Sequence, residues 1–414
     1  MKYYLFGIAI ILLLATGPVL ALDIRGNIYN ELAVQSLRPQ SLLNPDNIQG
    51  QSEFQFCTNG NLIVKTSFGR SSHGYINLEG RYYPAAFSSQ QEKEEIIIKA
   101  LYLDTVTECF SLRVGKHHIN WGGNGFFNPI DVVNLKKQRL QPVDETIGNP
   151  FIHLTIPLKD MYALDFITIV EESRRIESIS ELPCIFRTTF SKNRLSGFGF
   201  AEFQKEEKPI FGLNLEYAHT IDMNTSALIY GEASLKYSSQ RRFIAGESID
   251  YRMQIMEKDQ FWAYVLGARV DKSLYASKWL EGVSFGLEYY YDDENWNRQN
   301  LQKYYEYLGF TRANNPENYL PALCYIEEFK NSKGYIYTSL SLYGFLVSDL
   351  NCKMEWIANI EDKSGTVVSG LTYSYDNLNA VCGIKVLCPY GGERTEFGEA
   401  VGGLRITLFS QVSF

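Results

Sequence analysis

The feature that most constrains this chain is polarity alternating with a period of two, in segment after segment. Over residues 282–291 one face carries Val283, Phe285, Leu287, Tyr289 and Tyr291, and the other Ser284, Gly286, Glu288 and Tyr290. A strand projects successive side chains to opposite sides, so this segment has one greasy and one largely polar face. Phe211, Leu213, Leu215 and Tyr217 stand likewise against Gly212, Asn214 and Glu216. Cys352, Met354, Trp356, Ala358 and Ile360 oppose Lys353, Glu355, Asn359 and Glu361, with Ile357 the one exception. Further candidate strands fall at 23–36, 62–69, 75–84, 96–107, 110–121, 151–157, 161–170, 182–190, 198–206, 227–238, 249–259, 261–274, 336–347, 366–375, 378–387 and 401–414. These are too many for one sandwich. A solenoid or propeller would show a fixed repeat, and none is present. With no linker-like composition shift, the chain reads as one domain.

The N-terminus has the layout of a secretory signal: Lys2, an apolar run over 5–15, then Gly17 and Pro18 before Val19, Leu20 and Ala21. Cleavage is expected after Ala21, leaving residues 22–414 as a barrel domain. The apolar run falls short of the roughly 20 residues a spanning helix needs. No later stretch approaches that length, which excludes a helical membrane protein. A membrane barrel hides its hydrophobicity by alternation, one face to lipid and one to a polar lumen. The 28 Tyr against 5 Trp suit the belts at the two membrane interfaces. At about 22 residues per strand with its connection, the length fits an all-β transmembrane antiparallel β-barrel of about 16–18 strands.

The net charge of −8 argues against a nucleic-acid partner. Seven Cys lack metal-ligand spacing and read as small apolar residues, Cys382 and Cys388 being the only close pair for a disulfide. The five His, at 73, 117, 118, 153 and 219, fall in no catalytic or metal motif, so no enzyme, metal or cofactor is expected.

Short connectors at 376–377, 158–160 and 207–209 suit periplasmic turns, and 123–150 and 292–334 suit long outer loops. Within the latter, Trp296, Leu301, Tyr304, Tyr305 and Leu308 recur at helical spacing, predicting a short helix over 294–312. In the last strand Leu404, Ile406, Leu408, Val412 and Phe414 share a face opposite Arg405, Thr407, Gln411 and Ser413, with Phe409 and Ser410 breaking the pattern. Closing on Phe414, this resembles the C-terminal signal by which the barrel assembly machinery reads outer-membrane proteins.

Residues 110–134 are the most unusual stretch. A strand bearing Phe110, Leu112 and Val114 on one face runs into Gly115, Trp121, Gly122, Gly123 and Gly125, then Asn128 and Pro129. Glycine frees the backbone and proline fixes φ, which predicts a loop of defined path. Folded inward, it would narrow the lumen as a constriction loop of Trp121, Gly122, Gly123, Asn128, Asp131 and Asn134. Arg113, Lys116, Lys136, Lys137 and Arg139 would then be the candidate selectivity charges. Glu216, Glu232, Lys236, Arg269, Glu288, Lys353, Glu355 and Arg405 are further candidate wall charges.

The same segment resembles porin-like bacterial outer-membrane barrels, whose pattern reads roughly G-[RK]-Q-x-[IV]-x-W-G followed by N-P-x-D-V-x-N. Gly115, Lys116, Ile119, Trp121 and Gly122 match, as do Asn128, Pro129, Asp131, Val132 and Asn134; His117 replaces Gln. The resemblance implies an outer-membrane, porin-like role in diffusion or uptake of a small solute, with outer-membrane lipids around the barrel. The alternatives are a surface-binding barrel, for glycan attachment or adhesion, and a transporter of hydrophobic solutes with an occluded lumen. Residues 37–50 are too short for a substantial plug. Permeant and oligomeric state are not legible.

Overall fold

The computed structural model describes residues 19–47, 50–69, 71–84, 93–119, 121–122, 125–134, 147–159, 161–170, 181–205, 207–237, 239, 241–245, 252–255, 258–274, 277–323, 326, 330–399 and 402–414. The strands are β1 (Val19–Leu37), β2 (Phe54–Phe68), β3 (Ser72–Tyr83), β4 (Lys93–Val106), β5 (Ser111–His117), β6 (Asn149–Lys159) and β7 (Tyr162–Ile169). They continue as β8 (Cys184–Lys192), β9 (Leu195–Phe203), β10 (Ile210–Asp222), β11 (Thr225–Lys236), β12 (Arg242–Ala245), β13 (Arg252–Ile255) and β14 (Phe261–Ser273). The last are β15 (Gly282–Asp292), β16 (Gly334–Tyr343), β17 (Leu350–Asn359), β18 (Gly365–Tyr375), β19 (Ala380–Tyr390) and β20 (Gly402–Ser413).

Eighteen of these form one antiparallel sheet in which each strand pairs with its neighbour in sequence and β20 returns to β1. The sheet is therefore a closed barrel, at the upper end of the expected strand number. β12 and β13 stand apart as a small hairpin between β11 and β14. The segment 249–259, expected as a wall strand, thus contributes to an outer connection instead. A stretch of alternating text too short to cross a bilayer still satisfies its backbone by pairing locally. One strand portion, 54–61, was not expected. It carries Phe54 and Phe56 outward and pairs with β1 over Thr58 to Phe54.

The outer face is apolar all the way round. Leu22, Ile24 and Ile28 on β1, Trp262 and Leu266 on β14, and Phe285 and Leu287 on β15 are exposed. No described helix is long and apolar enough to cross a membrane. Such a belt suits hydrocarbon.

Strand parity assigns each connector to an end. Residues 69–71, 193–194, 223–224 and 376–379 turn at the end where β1 begins, and 38–53, 118–148, 293–333 and 391–401 lie at the other. The connector 207–209, short enough to suggest a periplasmic turn, follows β9 and so belongs to the long-loop end.

The outer loops pack on one another. Helix α1 (Arg298–Asn314) is capped by Asn297, whose side chain accepts the Asn300 N–H at 2.9 Å. It is followed by α2 (Tyr319–Leu323). Trp296, Leu301, Tyr304, Tyr305 and Leu308 bury against Leu43 of the β1–β2 connection and Ile244 of the hairpin. Arg312 reaches Asp46 at 2.6 Å, and Arg38 donates to the carbonyls of Phe397 and Gly398 at 2.8 and 2.6 Å. The helix-bearing loop thereby spans from β15–β16 to the loops flanking β1 and β20, as a roof over that side of the mouth.

Candidate functional site

The connection between β5 and β6 folds into the barrel. At its base Asn134 acts as a piece of strand made from a side chain. Its Oδ1 accepts the Ile119 N–H at 3.1 Å and its Nδ2 donates to the Ile119 carbonyl at 2.8 Å. Asp131 Oδ1 accepts from Asn134 Nδ2 at 2.9 Å and from the Asn134 N–H at 3.1 Å, and Asn149 Nδ2 donates to the Val133 carbonyl at 2.7 Å. Asn128 Nδ2 donates to the Trp121 carbonyl. Gly122 sits at φ +94°, and a Cβ there would fall 2.4 Å from Asn128 Nδ2, so the turn closes only with glycine.

Apolar contacts hold this base to the inner wall. Trp121 is 4% exposed, its ring edge-on to Phe200 at 5.1 Å and to Phe198 at 5.6 Å. The Arg187 guanidinium lies over it at 4.8 Å, and Nε1 donates to the Ile130 carbonyl at 2.6 Å. Ile119, Ile130 and Val133 join Phe151, Ile167 and Ile185 of β6 to β8 in the same cluster. Arg187 is held in turn by Asp165 at 2.8 Å.

The tip crosses the lumen to the opposite wall. The Phe126 and Phe127 N–H groups both donate to the Glu288 carboxylate of β15, at 2.6 and 3.0 Å. Phe127 stacks on Tyr290 at 4.6 Å and Phe126 on Tyr337 at 4.4 Å. Ile357, the exception in the alternation of β17, is 1% exposed and belongs to this cluster. It faces the lumen where an apolar loop covers it.

The loop divides the interior unequally. On the β10–β15 side the inward residues Asn214, Tyr230, Glu232, Ser234, Val265 and Glu288 are all buried. On the wall running from β17 through β20 and β1 to β5, several inward charges stay accessible, although Glu79 is buried between Arg81 and Lys99, both of which pair with it. Arg113 on β5 pairs with Asp104 at 2.6 Å and lies over Tyr102 at 4.6 Å; Tyr102 stacks on Tyr75 at 4.9 Å. Arg405 pairs with Glu31 and Lys353 with Glu355, each at 2.9 Å. Lys65, 5.8 Å from the Tyr75 ring centre, and Lys385 make no ion pair among the described residues. The accessible inward charge therefore lies along this wall, where the carboxylates Asp104, Glu31 and Glu355 are paired and the Lys65 and Lys385 ammonium groups make no ion pair among the described residues.

Of the residues singled out in sequence, Trp121, Gly122, Asn128, Asp131 and Asn134 come together, with Asn128, Asp131 and Asn134 bonding the loop's own backbone. Arg113 faces the lumen. Lys116 pairs across from Pro150, between the inward pairs Gly115–Phe151 and His117–Asn149, and so has the outward parity. Gly123, Lys136, Lys137 and Arg139 lie outside the described residues. Phe409 faces inward, its ring 6.1 Å from Tyr29, so the last strand alternates in geometry throughout. Cys382 and Cys388 share β19 six residues apart, about 20 Å at the rise of an extended strand, too far for a disulfide. Phe126, Phe127, Lys65 and Lys385 were missed. The available signal was the pair of exceptions Tyr290 and Ile357 on the otherwise polar face.

No protein-family profile matches the chain, and no curated protein is significantly similar to it in sequence. Its fold, a closed 18-stranded antiparallel barrel, is similar to that of solved outer-membrane porins. OccAB1 of Acinetobacter baumannii matches with a TM-score of 0.58 at 9% identity, over 96% of this chain and 97% of that one. OccK2 (OpdF) of Pseudomonas aeruginosa, solved in complex with glucuronate, matches at 0.55 and 10% identity, over 96% and 99%. OprD of the same organism matches at 0.53 and 8% identity, over 96% of each chain.

Proposed function

We propose that the chain is a bacterial outer-membrane channel for uptake of small solutes, that residues 1–21 are a leader removed on secretion, and that the preferred solute is an anion. The observation that carries the reading is the partitioned lumen inside an apolar belt. A loop fills one half, and the open half presents Lys65 and Lys385 among neutralised carboxylates. A ring of one sign at a narrowing favours counter-ions by electrostatics in a poorly screened space. Glucuronate, present in the OccK2 structure, belongs to the corresponding chemical class, a small carboxylate.

The test is single-channel recording from the purified barrel in a planar bilayer under a salt gradient. The expected result is steady ohmic conductance with a reversal potential on the anion side. The double substitution Lys65→Gln, Lys385→Gln is expected to move that potential toward the cation side with little change in conductance. A cation-selective wild type would overturn the anion preference.

One observation favours a second reading. The roof of α1 and its neighbours over the mouth suits a barrel whose outer surface, rather than its lumen, meets the ligand. A folded barrel without conductance would transfer the assignment there.

A further inference from the structure

Glu288 is a carboxyl group buried at 3% exposure in the inner wall, and none of the ion pairs among the described residues includes it, the Lys330 ammonium standing instead over the Phe127 and Tyr290 rings. A buried carboxyl group is stable only where donors replace the water it has lost. Its donors are the Phe126 and Phe127 N–H groups and the Tyr230 hydroxyl. The wall is shaped for that meeting. A Cβ on Gly267, directly across from Glu288 on β14, would fall 2.2 Å from the Tyr230 ring, so glycine there lets the tyrosine lie flat beside the carboxylate. At the loop tip a Cβ on Gly125 would stand 3.3 Å from Glu288 Oε2 and 3.0 Å from the Tyr230 ring. Two of the three donors belong to the loop. If the tip withdraws, the carboxylate keeps only the tyrosine, and two peptide groups lose their acceptor.

Resting on the channel reading above, we propose that Glu288 is the positioning residue that latches the loop tip across the lumen, sealing the β10–β15 half and thereby setting the width and selectivity of the passage. Glu288 does not itself meet the solute. It acts through the backbone of Phe126 and Phe127, while the stacked rings supply the apolar share of the latch.

The experiment is single-channel recording of the whole barrel carrying Glu288→Ala or Glu288→Gln, with Glu232→Gln, a buried wall carboxylate on β11, as the comparison. Folding of each is followed by heat-modifiable mobility on electrophoresis. Removing the acceptor of two charge-assisted bonds is expected to raise the occupancy of the unlatched state by about ten-fold or more. Glu288→Ala is then expected to show larger, flickering openings and a reversal potential nearer zero. Glu288→Gln, which keeps one of the two carboxyl acceptors, should fall between it and the wild type, and Glu232→Gln should match the wild type. Amplitude, noise and reversal potential unchanged in both Glu288 variants would overturn the latch, as would equal effects in the Glu232→Gln barrel. Should Glu288→Ala not fold, Glu288→Gln decides alone: wild-type traces from it overturn the proposal. A silent wild type sinks the channel reading itself, whereas a conducting wild type with unaltered variants sinks only the latch.

Discussion

Gly122 and Asn128 make one device from two residues. The left-handed turn at the glycine leaves the space its Cβ would fill to the asparagine amide, which bonds the carbonyl of Trp121. Gly122→Ala should cost at least about 1 kcal/mol in backbone strain and also displace Asn128. The expected outcome is a loop that chymotrypsin cuts at Phe126 or Phe127 in the folded barrel, where the wild type is resistant. Glu396, in the β19–β20 connection, is a second residue with its own prediction. It is wholly buried, and burial pushes its carboxyl up to about 7, against the donors that surround it. Those donors are the Asn331 N–H at 2.9 Å, the Tyr335 hydroxyl at 2.5 Å and Asn359 Nδ2 at 2.7 Å; the Asp362 carboxylate, accepting the Glu396 N–H, and the Tyr305 ring face the same pocket. A carboxyl raised in the folded state binds a proton that the opened loops release between about 4.5 and 7. Its stabilisation is therefore full below that window and lost as pH rises through 7. Amide protection factors around Asn331, which divide out the intrinsic rise of exchange with pH, should be larger at pH 5 than at pH 8, and Glu396→Gln should flatten the difference.

Among the elements, the strands of the wall were legible because each turns one face outward into an apolar belt and one inward to a largely polar lumen, and alternation records both environments. Where the second environment changes, the record changes. Tyr290 and Ile357 are apolar or aromatic on the inner face because Phe126 and Phe127 cover them, and Phe409 because Tyr29 does. The loop's inward path was legible from its glycines and aromatics. Its far attachment was not, since Glu288 lies 161 residues from Phe127 and nothing local distinguishes it from other wall carboxylates. The roles of Asn134 and Asp131 were also hidden, because an amide bonding a backbone and an amide lining a pore look alike in sequence. Helix α1 announced itself by periodicity, yet its N-cap fell at Asn297, three residues beyond the expected start, since Trp296 is used in the bridge to Ser332. The connector at 207–209 misled because length and end are independent; only counting strands assigns a turn to a side.

At the scale of the whole molecule, seventeen of the eighteen wall ladders join strands consecutive along the wall, and only β1 with β20 joins distant parts of the chain. That seam ends in a reciprocal pair, Gly26 N–H to the Phe414 carbonyl and Phe414 N–H to the Gly26 carbonyl, both at 2.9 Å. The Phe414 ring covers Gly26 from outside, so close that a Cβ at 26 would fall 2.5 Å from it. Phe414→Ala is expected to lower the yield of heat-modifiable barrel, because it uncovers the seam, and Gly26→Ala to do so less, because the ring tip can swing aside and still cover it. A normal yield from Phe414→Ala would show that the seam closes without the ring. The seam has one more consequence. Its ladder, running from Asn27 with Ser413 to Leu37 with Gly402, is bonded like its neighbours, so the wall has no first strand in any physical sense. Joining Phe414 to Leu22 through a short tether and opening the turn at 193–194 or 223–224 would give a permuted chain with the same ring of eighteen. The order in which the strands are written would then prove to be a matter of where the circle was cut.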